Sequence, residues 1–258
     1  IDSMSNVGTV ENTFKVTINS TPPALTSSSH PSQGTWYASG DAFFNWTFPN
    51  EDKNYKGVYY ILDRYGADAV TVNASSTVNG DLSIRAGGTI TVAGDVNART
   101  NGNVVLQATA GNIALQAKVL STALGTGALG DGTGTITLDS TAGTITQTAA
   151  GLISASAGSA NLQAATGIGT AGQFLLTTVA NLAADLSTNG ANLFVSETDG
   201  VNVTAVTSTI FNAAAATQNG ITTNNGNVTL QTGSGGDIAI AQAISAGTGF
   251  VDLNAAGA

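Results

Sequence analysis

The chain has no cysteine among its 258 residues, which excludes a disulfide framework and thiolate chemistry. An extracellular protein of this composition must hold its fold by burial and backbone hydrogen bonding alone. Charge is scarce: 9% of residues are charged, against roughly 25% in an ordinary globular chain. Positive charge is scarcer still. The basic residues are Lys15, Lys53, Lys56, Arg64, Arg85, Arg99 and Lys118, so residues 119–258 carry seven acids and no Lys or Arg. Without cations to neutralise phosphates, that half is unsuited to nucleic acid and gains nothing from an anionic membrane surface. No apolar run approaches the ~18 residues that a membrane-spanning helix needs. Histidine occurs once, as His30 beside Pro31; with no cysteine or paired base to attend it, it reads as a turn residue.

What the chain does have is spaced Ile, Leu and Val, within a hydrophobic fraction of 42%. Disorder requires low hydrophobicity as well as unusual charge, so a stacked β architecture surfaced with Thr, Ser, Asn and Gln fits better. Aromatics divide the chain: eleven of fifteen lie in residues 1–65, and the remainder are Phe174, Phe194, Phe211 and Phe250. All four prolines (Pro22, Pro23, Pro31 and Pro49) lie in the first 50 residues. These shifts place a domain boundary near residue 68. We expect an all-β protein in two parts, 1–68 and 69–258. The chain begins at Ile1 and its pattern runs to Ala258, which reads as a processed product or a piece of something longer.

The front part is written in short antiparallel strands separated by turn-formers. In "NTFKVTIN" (12–19), Phe14, Val16 and Ile18 share one face, and "STPP" (20–23) is a rigid extended joint because proline fixes its own φ and restricts the residue before it. Trp36, Phe44, Trp46, Tyr60 and Leu62 are the natural core candidates; we read the cluster as core rather than as a carbohydrate platform. The stretch "FKVTINSTPPALTSSSHPSQGTWYASGDAFFNWTFPN…GVYYILD" resembles bacterial immunoglobulin-like, or fibronectin-type-III-like, modules of large secreted surface proteins. The resemblance covers about residues 7–63 and implies a small β-sandwich. It lacks the second half of such a module after Asp63, so either residues 1–20 close the sandwich or the sandwich leans on the chain beyond it.

From Ala69 onward the pattern changes to triplets of short strands joined by small residues. Strands are expected to begin near Leu82, Ile90 and Val96, near Val104, Ile113 and Lys118, and near Ile136, Ile145 and Ile153. Equivalent positions return after 22 residues (Leu82 to Val104) or 23 (Val228 to Val251). Three short strands in a period of this length indicate a solenoid, in which one coil cannot bury its own apolar face and stacking supplies the core. Helix is disfavoured, since "TITLDSTAGTITQT" alternates with period two and is rich in β-branched residues. "NLAADL" (181–186) and "FNAAAATQ" (211–218) read as short helical or loop excursions. "STALGTGALGDGTG" (121–134) breaks the period and is expected to loop out. At the strand spacing of about 4.8 Å, eight or nine coils would make a rod near 40 Å long.

Runs such as "GDLSIRAGGTITVAGDVNA" (80–98) and "GNVTLQTGSGGDIAIAQAISAGTGFVDLNAAGA" (226–258) resemble the filamentous-haemagglutinin-like parallel β-helix of large bacterial secreted adhesins. The resemblance covers most of residues 70–258. It implies an extracellular shaft, usually right-handed, with function on loops or appended modules.

Candidate chemistry is thin. β-Helical lyases and hydrolases need clustered carboxylates, or a carboxylate beside Lys or Arg, on one face. The best pairs are Asp81 with Arg85 and Asp95 with Arg99, read as surface ion pairs or turn residues. "GDGTGTITL" (130–138) is similar to the calcium-binding nonapeptide of β-rolls but places Ile136 where an aspartate is needed, which weakens a site at Asp131 or Asp139. "ETD" (197–199) is read as a solvated acidic turn in preference to a hard-cation site. The Asn-X-Ser/Thr triplets at Asn19, Asn45, Asn73, Asn202 and Asn227 fit a Thr- and Asn-rich repeat by composition alone. We therefore expect no catalytic residues, no cofactor and no metal. The expected role is structural or adhesive, with end-to-end self-association or continuation of the chain as the partner and a surface glycan or host-cell ligand in view. The competing reading is a carbohydrate-binding or polysaccharide-cleaving β-helix, which needs a row of carboxylates and aromatics; an ice- or mineral-facing Thr surface is a third.

Overall fold

The computed structural model describes residues 69–208, 214–233 and 235–256. Within the first 68 residues it describes only the backbone of five strands: Asn12–Thr13, Ala24–Ser27, Phe44–Thr47, Gly57–Ile61 and Asp63–Arg64. Among the described residues the protein is all-β, without helix, and its main body is one large parallel sheet wound into successive coils.

Three strand columns make up the first coils. The first column stacks Gly57–Ile61, Asp81–Ala86, Val104–Ala108 and Thr135–Ser140. It continues through the second halves of the long strands Leu152–Ala164 and Leu175–Leu186. The second column stacks Val70–Val72, Ile90–Val92, Ile113–Leu115, Thr144–Gln147 and Gly167–Ile168. The third stacks Ser76–Asn79, Val96–Arg99 and Lys118–Thr122 on the first halves of those two long strands. Every one of these pairings is parallel, and the 22- and 23-residue spacings read from the sequence are the observed pairs Leu82–Val104 and Val228–Val251.

Higher up, the columns regroup. Strand Leu193–Glu197 receives Ile168 through Leu193 and receives Leu175 and Thr177 through Val195 and Glu197, so the second and third columns merge. The first column divides instead: Leu182 pairs with Val203, and Ala184 pairs with Ile221. The succession Val70, Ile90, Ile113, Ile145, Ile168, Leu193, Val228, Val251 marks eight levels. Seven steps of about 4.8 Å make about 34 Å of shaft.

The core is a set of like-on-like stacks. Leu82, Val104, Ile136, Ala160 and Leu182 form one; Ile84, Leu106, Leu138, Leu162 and Ala184 form the next; all are buried. Ile90, Ile113, Ile145 and Ile168 form a third, with no exposed surface. Each such Ile or Leu contributes about 1.5–3 kcal/mol by leaving water, and none finds that shelter within its own coil. "NLAADL" is strand, not helix or loop: Leu182, Ala184 and Leu186 alternate inward onto Ala160, Leu162 and Ala164. Its alanines favour helix as isolated residues, but the stack beneath rewards period two. In "FNAAAATQ", Ala216 onward is strand and residues 211–213 lie outside the described residues.

Corners let the strands be short. At the turn into the first column, Gly80, Gly102, Gly134 and Gly158 stand one above another. A Cβ on Gly102 would collide with the Gly80 carbonyl, and one on Gly134 with the Gly102 carbonyl. The residue after the glycine then ties the coils together: Asp81 Oδ1 accepts the Asn103 backbone N–H at 2.7 Å, and Asn103 Oδ1 accepts that of Thr135 at 2.8 Å. Asn112 does the same for Thr144, and Asn192, Asn227 and Phe250 form a second such series. Each of these bonds gives a corner N–H a partner in the neighbouring coil.

In the front part, Ala24–Ser27 pairs antiparallel with Phe44–Thr47 and Asn12–Thr13 with Asp63–Arg64. Gly57–Ile61 pairs in parallel with Asp81–Arg85, so the parallel ladder begins ahead of residue 69. His30 and the side chains of Trp36, Phe44, Trp46, Tyr60 and Leu62 lie outside the described residues.

Gly102→Ala is expected to destabilise the protein by about 3 kcal/mol, because the new methyl group meets backbone that cannot rotate away. Gly172→Ala, with open space around its Cβ, is expected to change stability by less than about 0.5 kcal/mol. Urea unfolding of both variants checks the pair.

Candidate functional site

Of the charged pairs singled out in the sequence, Asp81 and Asp95 serve the corners, while Arg85 and Arg99 lie on strands Asp81–Ala86 and Val96–Arg99. Asp81 spends its carboxylate on Asn103, whose Nδ2 also reaches it at 3.1 Å, and Asp95 Oδ1 accepts the backbone N–H of Lys118 at 3.0 Å. Arg85, paired with Ile61 below, leads an outer column with Gln107, Asp139, Gln163 and Asp185 above it. Asp139 accepts Gln107 Nε2 at 2.7 Å across one coil step. Asp185, desolvated near the top of that column, has its carboxyl pushed up from the usual range. Asp131 sits elsewhere, in the insertion, where a hydrogen bond from Thr126 chiefly holds its carboxyl below the usual range; its Oδ1 also accepts the Ala123 N–H at 3.0 Å. Asp131 and the buried Asp139 are thus engaged separately, with different partners. Among the described residues no three His, Cys, Asp or Glu side chains converge as a metal set.

Two insertions cover the outside of the shaft. The segment expected to loop out between 121 and 134 does so only in part. Leu124 and Leu129 are exposed, but Gly130 returns: its carbonyl accepts Ser154 Oγ at 3.0 Å and its N–H bonds Thr122 Oγ1, itself a donor to Asn97 Oδ1 at 2.8 Å. Leu120, on the outer side of its strand, is buried as a result. The second cover is the antiparallel hairpin formed by Ala205–Ser208 and Ala216–Asn219. It lies on the outer face of the first column, burying Val206, Asn161 and Ala183, with Asn161 Nδ2 donating to Ser208 Oγ at 2.8 Å. Asn161 faces outward by alternation, so without the hairpin its amide would be solvated.

The third feature lies inside. Glu197 is 1% exposed, so "ETD" is a solvated turn only at Thr198 and Asp199. In Leu193–Glu197 the alternation places Glu197 on the inner face with Leu193 and Val195, and stacks it between Thr177 and Thr232 in the column that begins Ser76, Val96, Val119, Ile153. Oε2 meets the Thr177 hydroxyl at 2.5 Å; Oε1 accepts the backbone N–H groups of Val179 at 3.0 Å and Thr198 at 3.1 Å. Desolvation pushes the carboxyl up to about 7, against these three hydrogen bonds, with Asp199 adding repulsion. The signal was present in "LFVSE": strict alternation commits its last residue to the core whatever its charge.

The fourth is the last coil. Ile240, Phe250, Val251 and Leu253 are 48%, 56%, 43% and 41% exposed, although Val251 and Leu253 continue the inner stacks of Val228 and Leu230. Among the described residues, strand Val251–Asn254 pairs only with Val228–Gln231, and its other edge lies beside an apolar face.

No family model, curated protein or solved structure matches the chain.

Ser208→Ala leaves the Asn161 amide buried without its acceptor and is expected to cost about 1–2 kcal/mol. Adding Asn161→Ala to that variant is expected to restore part of the loss. Thermal unfolding of the two single variants and the double variant reads the coupling.

Proposed function

We propose that this chain is a non-enzymatic structural or adhesive protein of the bacterial cell surface, secreted and extracellular. In this reading a right-handed parallel β-helical shaft follows an immunoglobulin-like module within residues 1–68. The resemblance of the repeat region to filamentous-haemagglutinin-like shafts supports it, as does the resemblance of residues 7–63 to the modules of large surface proteins. The physical support is the stacking itself. A core that repeats at every coil adds length without requiring a new fold, and the polar Thr, Ser, Asn and Gln exterior keeps such a rod in water.

The observation that carries the reading is the parallel coil-on-coil ladder, which adds length by repetition and can be extended at a strand edge. A strand edge with unpaired backbone groups is a template for further pairing, and here it lies beside the exposed side chains of Phe250, Val251 and Leu253. Either further coils of a longer chain or a second copy of this chain docked end to end would continue the parallel ladder and the apolar stack there. A surface glycan or host-cell ligand would then be held by appended modules or covers, with the shaft giving reach.

The test is electron microscopy and light scattering of the full chain across a concentration series, beside Leu253→Lys. Rods several shaft lengths long, shortened to single particles by Leu253→Lys, are the expected outcome. A wild-type protein that stays strictly monomeric at every concentration contradicts end-to-end assembly.

A further inference from the structure

We propose that Glu197 is a proton-operated fastener of the upper coils: a neutral carboxyl group keeps residues from 193 onward closed on the shaft, and loss of its proton loosens them selectively.

The geometry suits a neutral acid. Oε1 is satisfied by two backbone N–H groups, those of Val179 and Thr198. Oε2 accepts a hydrogen bond from the Thr177 hydroxyl, which can turn to accept one from the protonated acid instead. All polar valences of a neutral acid are therefore met inside the core. Ionisation keeps the same three contacts but adds a charge with nearly no access to water, which is costly unless a cation compensates.

Among the described residues, none is placed to do so. Strand Leu175–Leu186, below Glu197, brings one titratable group, Asp185, on its outer face; strand Val228–Thr232, above, brings none. The turn after Glu197 brings Asp199, and the corner packed against Gly200 brings Asp237. The last strand brings Asp252. All are carboxylates, and residues 119–258 contain no Lys, Arg or His. A carboxyl group raised to about 7 binds its proton more tightly folded than unfolded. Its contribution to stability is then complete below the ordinary Glu range, declines as pH rises through 7, and is absent above that. The consequence is local, because the parallel ladder transmits it only through the coils that Glu197 joins: Leu175–Leu186 below and Val228–Thr232 above.

The test is amide hydrogen exchange by mass spectrometry on the wild-type chain and Glu197→Gln, at about pH 5 and about pH 8.5, corrected for the intrinsic exchange rate at each pH. Gln reproduces the neutral pattern, its amide oxygen accepting from the two N–H groups and its NH2 donating to Thr177. In the wild type, protection over residues 193–232 is expected to fall at least about tenfold at the higher pH, while residues 104–147 hold theirs; in Glu197→Gln both regions hold. Equal protection at both pH values in the wild type, or an unchanged pH response in Glu197→Gln, overturns the proposal. Infrared difference spectroscopy on the wild type gives a readout independent of the variant. A protonated-carboxyl C=O band that titrates away near neutrality is expected, and its absence at about pH 6 overturns the proposal as well.

Discussion

The structure depends on one constraint: each coil pairs in register, in parallel, with the coil before it. Backbone N–H and C=O groups are satisfied by a neighbour one turn away in space and some 22 residues away in sequence. Once that register is set, a residue has little choice about what it touches. Ile113 must lie on Ile90 and beneath Ile145, and Asn103 must lie on Asp81 and beneath Thr135. The apolar stacks, the glycine corners and the side-chain bridges between coils are consequences of the same spacing. A methyl group that would be harmless on an open loop becomes intolerable at Gly102, where the backbone below leaves no room for it.

The departures from regularity obey this constraint as well. An insertion can leave the shaft only at a corner, and when its chain returns it has a ladder of outer side chains to lie against. The segment after Thr122 and the hairpin from Ala205 both do this. Each converts an outer face into an interior, which explains why Leu120 and Asn161 are buried although alternation points them outward. A polar side chain under such a cover must be given a partner, as Ser208 gives one to Asn161.

Much of this was legible in the sequence because the constraint acts on sequence. The strand starts at Ile90, Val96, Val104, Ile113 and Lys118 could be read from spaced apolar residues, and the coil period from the return of Leu82 as Val104. What could not be read locally was set by the neighbour one coil away. "NLAADL" has helical residues and becomes strand because Ala160, Leu162 and Ala164 wait beneath it. Asp81 and Asp95 look like halves of ion pairs with Arg85 and Arg99, yet their partners are backbone N–H groups of the next coil. Glu197 looks like a surface acid because its neighbours in "ETD" are polar. Its strand alternation, which decides its direction, is the stronger signal. The regrouping of the columns above Ile168 has no local mark at all.

The central claim is the register, and the isoleucine stack tests it most directly. With isoleucine methyl groups labelled in an otherwise deuterated chain, nuclear Overhauser contacts should link Ile90 to Ile113, Ile113 to Ile145, and Ile145 to Ile168. Contacts between Ile90 and Ile145 that bypass Ile113, or the absence of the Ile113–Ile145 contact across the insertion, would contradict the coil-on-coil arrangement.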